Sequence, residues 1–262
     1  MYYYGENIKQ DYQKAAKYFK KAIDLGDDES YFFLGFMYRF GNGVRQDYKK
    51  AITYLKKVVD LGNAVAGLAN SILADMYYYG EGVKQDYQKA LRHYEKSADF
   101  GNGDAYCELG KMYLFGEGVK QDYKKAKVYF EKAAKLGVAV AYFYLGIMYY
   151  VGKGVGQDYK KALRHYKKAA SLGDAMAYCC LGNMYYDGEG VKLDYQKAIE
   201  HYKKASDLGS VAAYVNLGGM YYYGDGVKQD KQKALQHYKK AADLGDETGR
   251  ERYEALLSEL GE

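Results

Sequence analysis

The chain contains no proline and no tryptophan, and it has only three cysteines among its 262 residues. It also lacks any stretch that approaches the ~20 consecutive apolar residues of a membrane-spanning helix. Tyrosine, lysine, glycine and alanine dominate the composition instead. We therefore expect a water-soluble, mostly helical protein that does not insert into a membrane.

The few cysteines offer neither a disulfide framework nor a metal site. Cys107, Cys179 and Cys180 are odd in number and are confined to two of the repeats described below, which argues against systematic pairing. Neighbouring residues on a helix point about 100° apart, so Cys179 and Cys180 make a poor pair of metal ligands. We expect all three thiols to be small apolar fillers, and we expect no metal and no cofactor.

Long blocks of one charge are absent as well. The formal net charge of +5 comes from 39 basic and 34 acidic residues that are interspersed along the chain. Segments that bind nucleic acid usually concentrate their basic residues in a tail or patch. The composition therefore gives no reason to expect a nucleic-acid partner.

What the chain does have is an internal repeat. A segment Gly-x-Gly-Val, followed by x-x-Asp-Tyr-x-Lys-Ala, recurs at intervals of 36 residues with a single interval of 39. The glycines that open each copy are Gly5, Gly41, Gly80, Gly116, Gly152, Gly188 and Gly224. A fixed period of this length indicates an array in which each unit packs mainly on its neighbours.

One copy illustrates the predicted unit. Apolar residues at helical spacing predict a first helix over about 103–115, which Gly116 and Gly118 end with positive φ angles. Asp122 is a good N-cap for a second helix, which Gly137 closes. Each repeat is thus predicted to be a helix hairpin, with six full hairpins after a leading half repeat.

Two irregularities are expected. The interval of 39 residues reflects three extra residues near Asn63 to Ala66, which should lengthen the following first helix by nearly one turn or bulge the preceding loop. After Gly245 the repeat decays into an amphipathic segment that should cap the array. We therefore predict a repeat array over residues 1–245 and a C-terminal capping helix over residues 246–262.

The repeat pattern resembles the Sel1-like repeat, a relative of the tetratricopeptide repeat. Leu109 to Gly118 and Asp122 to Ala134 carry the pattern in one copy, and the resemblance covers essentially residues 1–245. It implies an all-α, right-handed superhelical solenoid of antiparallel hairpins, about 36 residues each, that serves as an adaptor or scaffold in signalling, cell-envelope assembly or host–microbe contact. It implies no particular reaction.

The chain departs from this family pattern in several places. Family members usually carry tryptophan where this chain has Tyr94, Tyr166 or Tyr202, a change that we expect to be neutral for packing. A cysteine-rich secreted branch bridges successive hairpins with cysteine pairs, and no such pair occurs around Ala98 and Cys107. Other departures are Asn7 and Ile8 in the first loop, Gly156 in place of Lys, and Lys231 in place of Tyr.

Five positions of the first helix vary most between copies and are therefore candidates for partner binding. Counted from the leucine of that helix they are −2, −1, +2, +5 and +6, and in the related tetratricopeptide geometry they line the concave groove. The predicted groove is aromatic and largely uncharged, which suits a protein or extended peptide. Its residues are Phe33, Phe36, Arg39, Phe40, Asp75, Tyr78, Tyr79, Glu108, Lys111, Phe115, Tyr144, Ile147, Tyr150, Asn183, Tyr186, Asn216, Tyr222 and Tyr223, with Phe32, Cys107, Leu114, Phe143, Val151, Cys179, Cys180, Asp187, Val215 and Gly219 at the same positions. Some of these rings could instead pack between adjacent first helices.

Chemical alternatives are weaker. The Gly-x-Gly loops follow a helix and lack the third glycine of a dinucleotide fingerprint and the Gly-Lys-Ser/Thr of a P-loop, so we interpret them as turns.

The histidines share one register of the second helix. In stacked hairpins they lie about 10 Å apart, which is too far for a shared metal. We expect them at the surface or in a seam between helices. They are His93, His165, His201 and His237.

Two alternative functions stay open at this stage. Some cysteine-rich relatives are described with β-lactamase activity, so a cell-envelope or secreted host-interaction protein with hydrolase activity is one alternative. Serine chemistry of that class needs Ser-x-x-Lys and Lys-Thr-Gly, both of which are absent, and we predict no enzyme. The other is weak nucleic-acid binding through lysine pairs of the second helices, namely Lys56-Lys57, Lys167-Lys168, Lys203-Lys204 and Lys239-Lys240.

The N-terminus begins in register with the repeat. Met1 to Gly5 matches Met220 to Gly224, so the sequence starts part-way through a repeat. Self-association through this open end, where Tyr2, Tyr3 and Tyr4 lack their own helix, is a further expectation. The compartment is undetermined: cytoplasmic if the chain is complete, exported if a signal peptide has been removed.

Overall fold

The computed structural model describes Tyr3 and residues 10–261, and over these residues the chain forms fourteen α-helices and no strand. The helices pair as antiparallel hairpins: α2 with α3, α4 with α5, α6 with α7, α8 with α9, α10 with α11, and α12 with α13. Their bounds are α1 Tyr12–Asp24, α2 Ser30–Phe40, α3 Tyr48–Leu61, α4 Ala66–Tyr79, α5 Tyr87–Asp99, α6 Gly103–Phe115, α7 Tyr123–Lys135, α8 Ala139–Val151, α9 Tyr159–Ser171, α10 Ala175–Asp187, α11 Tyr195–Asp207, α12 Val211–Tyr223, α13 Lys231–Asp243 and α14 Glu247–Leu260. The predicted all-α solenoid of hairpins is confirmed.

The loop inside each hairpin has one recurring geometry. In the hairpin of α6 and α7, Gly116 adopts φ 78° and ends the first helix. The Asp122 carboxylate accepts a hydrogen bond from the Lys125 backbone N–H at 3.0 Å, and the Asp122 N–H donates to the Tyr113 carbonyl at 2.9 Å. The aspartate is therefore the N-cap predicted from the sequence, and it also closes the loop.

The second glycine of each loop has a packing role besides its backbone conformation. Gly82 has φ 69°, and a Cβ atom added to it would lie 2.1 Å from the Cβ of Tyr48, which begins α3. Gly226 stands in the same relation to Tyr195. Because real Cβ atoms essentially never approach so closely, this glycine lets the loop of one hairpin rest on the preceding second helix.

Glycines and alanines also bring the two helices of a hairpin together. A Cβ atom added to Gly110 would lie 2.6 Å from Cε1 of Phe130, and Ala126 and Ala133 are fully buried. Close approach of helix axes needs small residues at the contact. The small residues of the repeat therefore set the spacing within each hairpin.

The three extra residues of the long interval are distributed rather than inserted together. Each of α3 and α4 has 14 residues where α5 and α6 have 13. The connection between α3 and α4 holds four residues, from Gly62 to Val65, whereas three residues join α5 to α6. Neither expected outcome occurs alone, because each helix end absorbs one residue and the loop absorbs the third.

The chain divides into two compact units, of which the first ends at Ala133 and the second begins at Ala134. In the first unit Leu34, Leu55 and Leu73 are fully buried at the centre of a cluster that runs from α1 to α4. In the second unit, α14 follows the last hairpin and packs on α13 and α12. The division of the chain at residues 1–245 and 246–262 stays a prediction.

The N-terminal expectations lie mostly outside the described residues. This applies to the register of Met1, to Asn7 and Ile8 in the first loop, and to Tyr2 and Tyr4 in the proposed self-association. Tyr3 itself packs edge-on against Tyr12, with ring centroids 5.4 Å apart.

Candidate interaction surface on the first helices

The five variable positions of the first helix differ sharply in exposure. Position +6 is exposed: Phe40, Tyr79 and Phe115 are 50%, 63% and 56% exposed in the first unit, and Tyr223 is 66% exposed in the second. Positions −1 and +2 are half-buried, including Phe33, Phe36, Asp75, Glu108, Lys111, Tyr144, Ile147, Asn183 and Asn216. Accessible area is thus concentrated at +6.

Position −2 is buried in three of the six first helices and half-buried at Phe32, Ser71 and Phe143. Cys107, Cys179 and Val215 are between 3% and 8% exposed, and Leu114 at position +5 is 6% exposed. These four residues pack in the interior and offer no groove surface. Burial raises the pKa of the Cys107 thiol to about 12, so the thiol stays protonated at neutral pH, as expected for a small apolar filler.

Position +5 ties one repeat to the next. The Tyr186 hydroxyl donates to Asp225 at 2.8 Å, and the Tyr78 hydroxyl donates to Glu117 at 2.5 Å. In both cases the acid lies between the two loop glycines of the following hairpin. Tyr150 donates to Glu189 in the same way, and Tyr222 donates to Glu259 of α14 at 3.0 Å. The hydroxyl groups of these rings are therefore used in contacts within the protein.

These hydroxyls are neutral donors at physiological pH. The hydrogen bond to Asp225, together with burial, raises the pKa of Tyr186 to about 12. Burial and the bond to Glu117 raise the pKa of Tyr78 still further. The tyrosines therefore contribute a neutral hydrogen bond to each tie, and at Glu259 the carboxylate is also paired with Lys231.

Arg39 takes the place of the +5 tyrosine in α2 and is almost buried, at 8% exposure. Its Nε atom donates to Glu81 at 2.7 Å, and its Nη1 atom lies 3.4 Å from Asp75. Asp75 also accepts from the hydroxyl of Tyr94 at 2.7 Å. Arg39 and Asp75 thus form an internal polar network, and their charges are satisfied within the protein.

The sequence reasoning missed one exposed position on this surface. Residues at −5 lie seven residues before +2, which places them on the same side of the helix. Leu68, Val140 and Met176 occupy it and are 50%, 42% and 49% exposed. We define the first-helix face of each unit as positions −5, −1, +2 and +6.

The second unit carries a polar pocket on this face, which we call the α12 pocket. Its volume is about 310 Å³, and Asn183, Tyr186, Tyr202, Asn216, Gly219 and Arg252 contribute to its lining, with Asp187 and Tyr223 beside them. A second cavity of about 250 Å³ shares Tyr223 and Arg252 with it. Both cavities lie against α14, the helix that follows the last hairpin.

The histidines lie in the seam between the two helices of their hairpins, which is one of the two locations expected from the sequence. His93 stacks on Tyr77 with ring centroids 5.5 Å apart, and Lys89 Nζ also lies over the Tyr77 ring, 5.4 Å from its centroid. Tyr129 stacks on Tyr113 in the same register of another hairpin. Burial, then Lys96 and Lys56, lowers the pKa of His93 to about 4.

The loop amides are already used. The N–H groups of Gly116 and Glu117 both donate to the Met112 carbonyl, at 2.8 and 3.0 Å. Amides that cap the preceding helix are not free to cradle a phosphate, which supports the interpretation of these loops as turns. Within the described residues no group of three or more His, Cys, Asp or Glu side chains is placed to hold a metal ion, and no helix is long and apolar enough to cross a membrane.

Helix hairpins that repeat every 36 residues, close through glycine loops and stack by one shared set of contacts define an α-solenoid of the tetratricopeptide-like class. The Sel1 repeat family model matches residues 1–27, 28–63, 67–102, 103–138, 139–174, 175–210 and 211–246. The chain therefore belongs to the Sel1 repeat family. Solenoids of this family are generally non-catalytic folds for protein interaction.

Solved structures agree with this assignment. A Sel1 repeat protein from Oxalobacter formigenes is 34% identical, with 89% of this chain and 94% of that chain covered and a TM-score of 0.82. A protective antigen of uropathogenic Escherichia coli is 31% identical, with 100% of this chain covered and a TM-score of 0.78. This chain spans 56% of the length of that antigen. Among curated protein sequences the comparison found no match.

Proposed function

We propose that this protein is a non-catalytic adaptor whose first-helix face binds a protein or an extended peptide. The observation that carries the proposal is the recurrence of large apolar side chains, about half exposed, at −5 and +6. In the first unit these are Phe40, Leu68, Tyr79 and Phe115. These side chains recur in a row of successive first helices, and soluble proteins rarely expose large apolar patches unless a partner covers them.

The polar groups around this row favour a peptide over a purely apolar ligand. The Glu117 carboxylate accepts from the Tyr78 hydroxyl, and Lys111 pairs with Glu108 at 2.6 Å. An apolar row flanked by charged groups is the arrangement of a protein interface with a polar rim. Neither the hydrolase alternative nor the nucleic-acid alternative is favoured by the fold.

The test should spare the +5 tyrosines, because their replacement would also remove ties between repeats. A better variant combines Tyr79→Ser and Phe115→Ser, which are 63% and 56% exposed. The matched control combines Tyr18→Ser and Val128→Ser on second helices, at 53% and 50% exposure. Both variants remove two comparably exposed apolar side chains.

The measurement is quantitative affinity capture from lysate of the source organism, with a photo-cross-linking amino acid placed at Phe115 or at Val128. We expect the Tyr79/Phe115 variant to lose a partner that the control variant retains, and cross-links to that partner to form from position 115. Equal loss in both variants, or equal cross-linking from position 128, would contradict binding at the first-helix face.

A further inference from the structure

The α12 pocket differs from the rest of the first-helix face in having polar atoms that its own walls do not satisfy. The Asn183 Oδ1 atom accepts from the Tyr202 hydroxyl at 2.7 Å and from Asn216 Nδ2 at 3.1 Å. Two donors on one oxygen fix the orientation of this side-chain amide. The Nδ2 group of Asn183 is therefore turned away from both donors, and it donates to no side chain among the described residues.

Asn216 shows the complementary arrangement. Its Nδ2 group is committed to Asn183 and to the Sγ atom of Cys179 at 3.5 Å. Its Oδ1 atom accepts from no side chain in the described part of the chain. The pair thus offers one donor and one acceptor side by side, which matches the N–H and C=O groups of an extended peptide backbone.

A cation stands at the α14 side of the same pocket. The guanidinium of Arg252 lies over the ring of Tyr238, 5.8 Å from its centroid. It forms no ion pair with any carboxylate of residues 10–261, in contrast to Arg39, whose charge is satisfied by Glu81 and Asp75. Arg252 also donates to the Tyr238 hydroxyl, and because a guanidinium carries five N–H donors, the remaining donors are available to a ligand.

A glycine makes room for a ligand beside this arginine. Gly219 occupies position +2 of α12, and each of the other first helices from α2 to α10 carries a larger residue at this position. The atoms nearest to a Cβ added there are Arg252 Nη1 at 3.6 Å and Tyr238 Oη at 3.8 Å. These are ordinary van der Waals distances, so a small group fits over Gly219, and the guanidinium borders that position.

We propose that the α12 pocket binds a carboxylate group of an extended peptide. Arg252 pairs with the carboxylate, the space over Gly219 admits it, and the amides of Asn183 and Asn216 bond the adjacent peptide backbone. The carboxylate is supplied by an acidic side chain or by a peptide C-terminus. This inference rests on the proposed function, since it names the chemistry of one site on the same face.

Asp187 adds a condition to the proposal. It lies at the pocket and is exposed, and burial followed by the nearby charge of Glu189 raises its pKa. Its negative charge opposes a bound carboxylate from a distance. Removal of that charge by Asp187→Asn should therefore tighten the binding of acidic peptides two- to threefold, about what one screened charge contributes at the surface.

The test uses the full chain and pools of nonapeptides that are random except at the central residue. Pools capped at both ends carry Glu, Asp, Gln, Asn or Lys at the centre, and one further pool carries Gln and a free C-terminal carboxylate. Immobilised wild-type protein should retain the Glu and Asp pools, the free-acid pool, or both, about tenfold over the capped Gln pool. Which of these pools is retained identifies the source of the carboxylate.

Three variants test which residues of the α12 pocket produce the preference for a carboxylate. Arg252→Gln should abolish it, and Gly219→Leu should weaken it by filling the pocket without a change of charge. Arg250→Gln is the matched control, because it removes the same charge from the same exposed helix two residues away and should leave the preference intact. Helicity and melting temperature must match wild type in the Arg252 and Arg250 variants.

The results separate this inference from the proposed function. Retention of all pools without a carboxylate preference, or a preference that survives Arg252→Gln, overturns the inference while peptide binding stands. Retention of no pool overturns the carboxylate site, and the Tyr79/Phe115 capture experiment then decides the proposed function independently.

Discussion

Two adjacent glycines in α12 should respond to alanine substitution with opposite signs. Gly218 faces the second helix of its hairpin, and a Cβ atom added there would lie 2.5 Å from Cε1 of Tyr238. Gly219 faces the α12 pocket, where the nearest atom would be 3.6 Å away. The two residues share one helix and one backbone conformation, so each serves as the control for the other.

The magnitudes follow from two competing effects. Alanine is favoured over glycine within a helix by about 0.5–1 kcal/mol. Overpacking at a closed contact costs about 1–3 kcal/mol, and the Tyr238 ring cannot move aside easily because it is only 3% exposed. We expect Gly218→Ala to lower the free energy of unfolding by about 1–2 kcal/mol and Gly219→Ala to raise it by about 0.5 kcal/mol.

Thermal unfolding followed by far-ultraviolet circular dichroism measures both effects. For a chain of this size about 1 kcal/mol corresponds to a shift of roughly 2–4 °C in Tm. Urea unfolding checks that the m-value is unchanged, since repeat arrays do not always unfold in a single transition. A stabilised Gly218→Ala variant, or equal destabilisation by both substitutions, would refute the claim that the first-helix glycine sets the hairpin spacing.

Three further outcomes are expected. Asp122→Ala removes the N-cap of α7 and should cost about 1 kcal/mol in urea unfolding, whereas Asp122→Asn should cost much less; equal losses would argue against capping. Tyr186→Phe removes the tie to Asp225 and should cost about 1 kcal/mol, with protection in hydrogen exchange lost first near that loop rather than uniformly. The pKa of His93 is about 4 in the folded state, below its ordinary value of 6.5. The free energy of unfolding should therefore have its full value above about pH 6.5 and should fall as the pH drops towards 4. After allowance for partial exposure this amounts to about 1–2 kcal/mol, and His93→Tyr should remove that share of the pH dependence; an unchanged pH profile would contradict it.

The hairpins and their caps could be predicted because their signals are local. A glycine with positive φ ends a helix wherever it stands, and an aspartate caps the N–H three residues later within one turn. The bounds of α6, Gly103–Phe115, accordingly coincide with the predicted first helix. The long interval was harder, because helix ends and loops can share three residues in several ways that differ little in energy.

The ties between repeats left a signal in the sequence that was not used. From α2 onward, a tyrosine or arginine at +5 is followed in the next Gly-x-Gly loop by an acid, as with Tyr78 and Glu117. The single repeat with Leu114 at +5 is followed by a loop with Lys153. Comparison of neighbouring repeats, rather than of one position across all copies, would have indicated a contact.

The sequence by itself determined the period, the hairpin and the class of fold, because these depend on spacing within a few residues of each position. Only the tertiary structure decided which variable residues are accessible. Position −2 is buried at Cys179, position +5 is engaged at Tyr186, and position +6 is open at Tyr223. All three vary between copies, so variation alone could not separate them. Their exposure depends on how closely the next hairpin approaches, and that distance is set by contacts some 36 residues away along the chain.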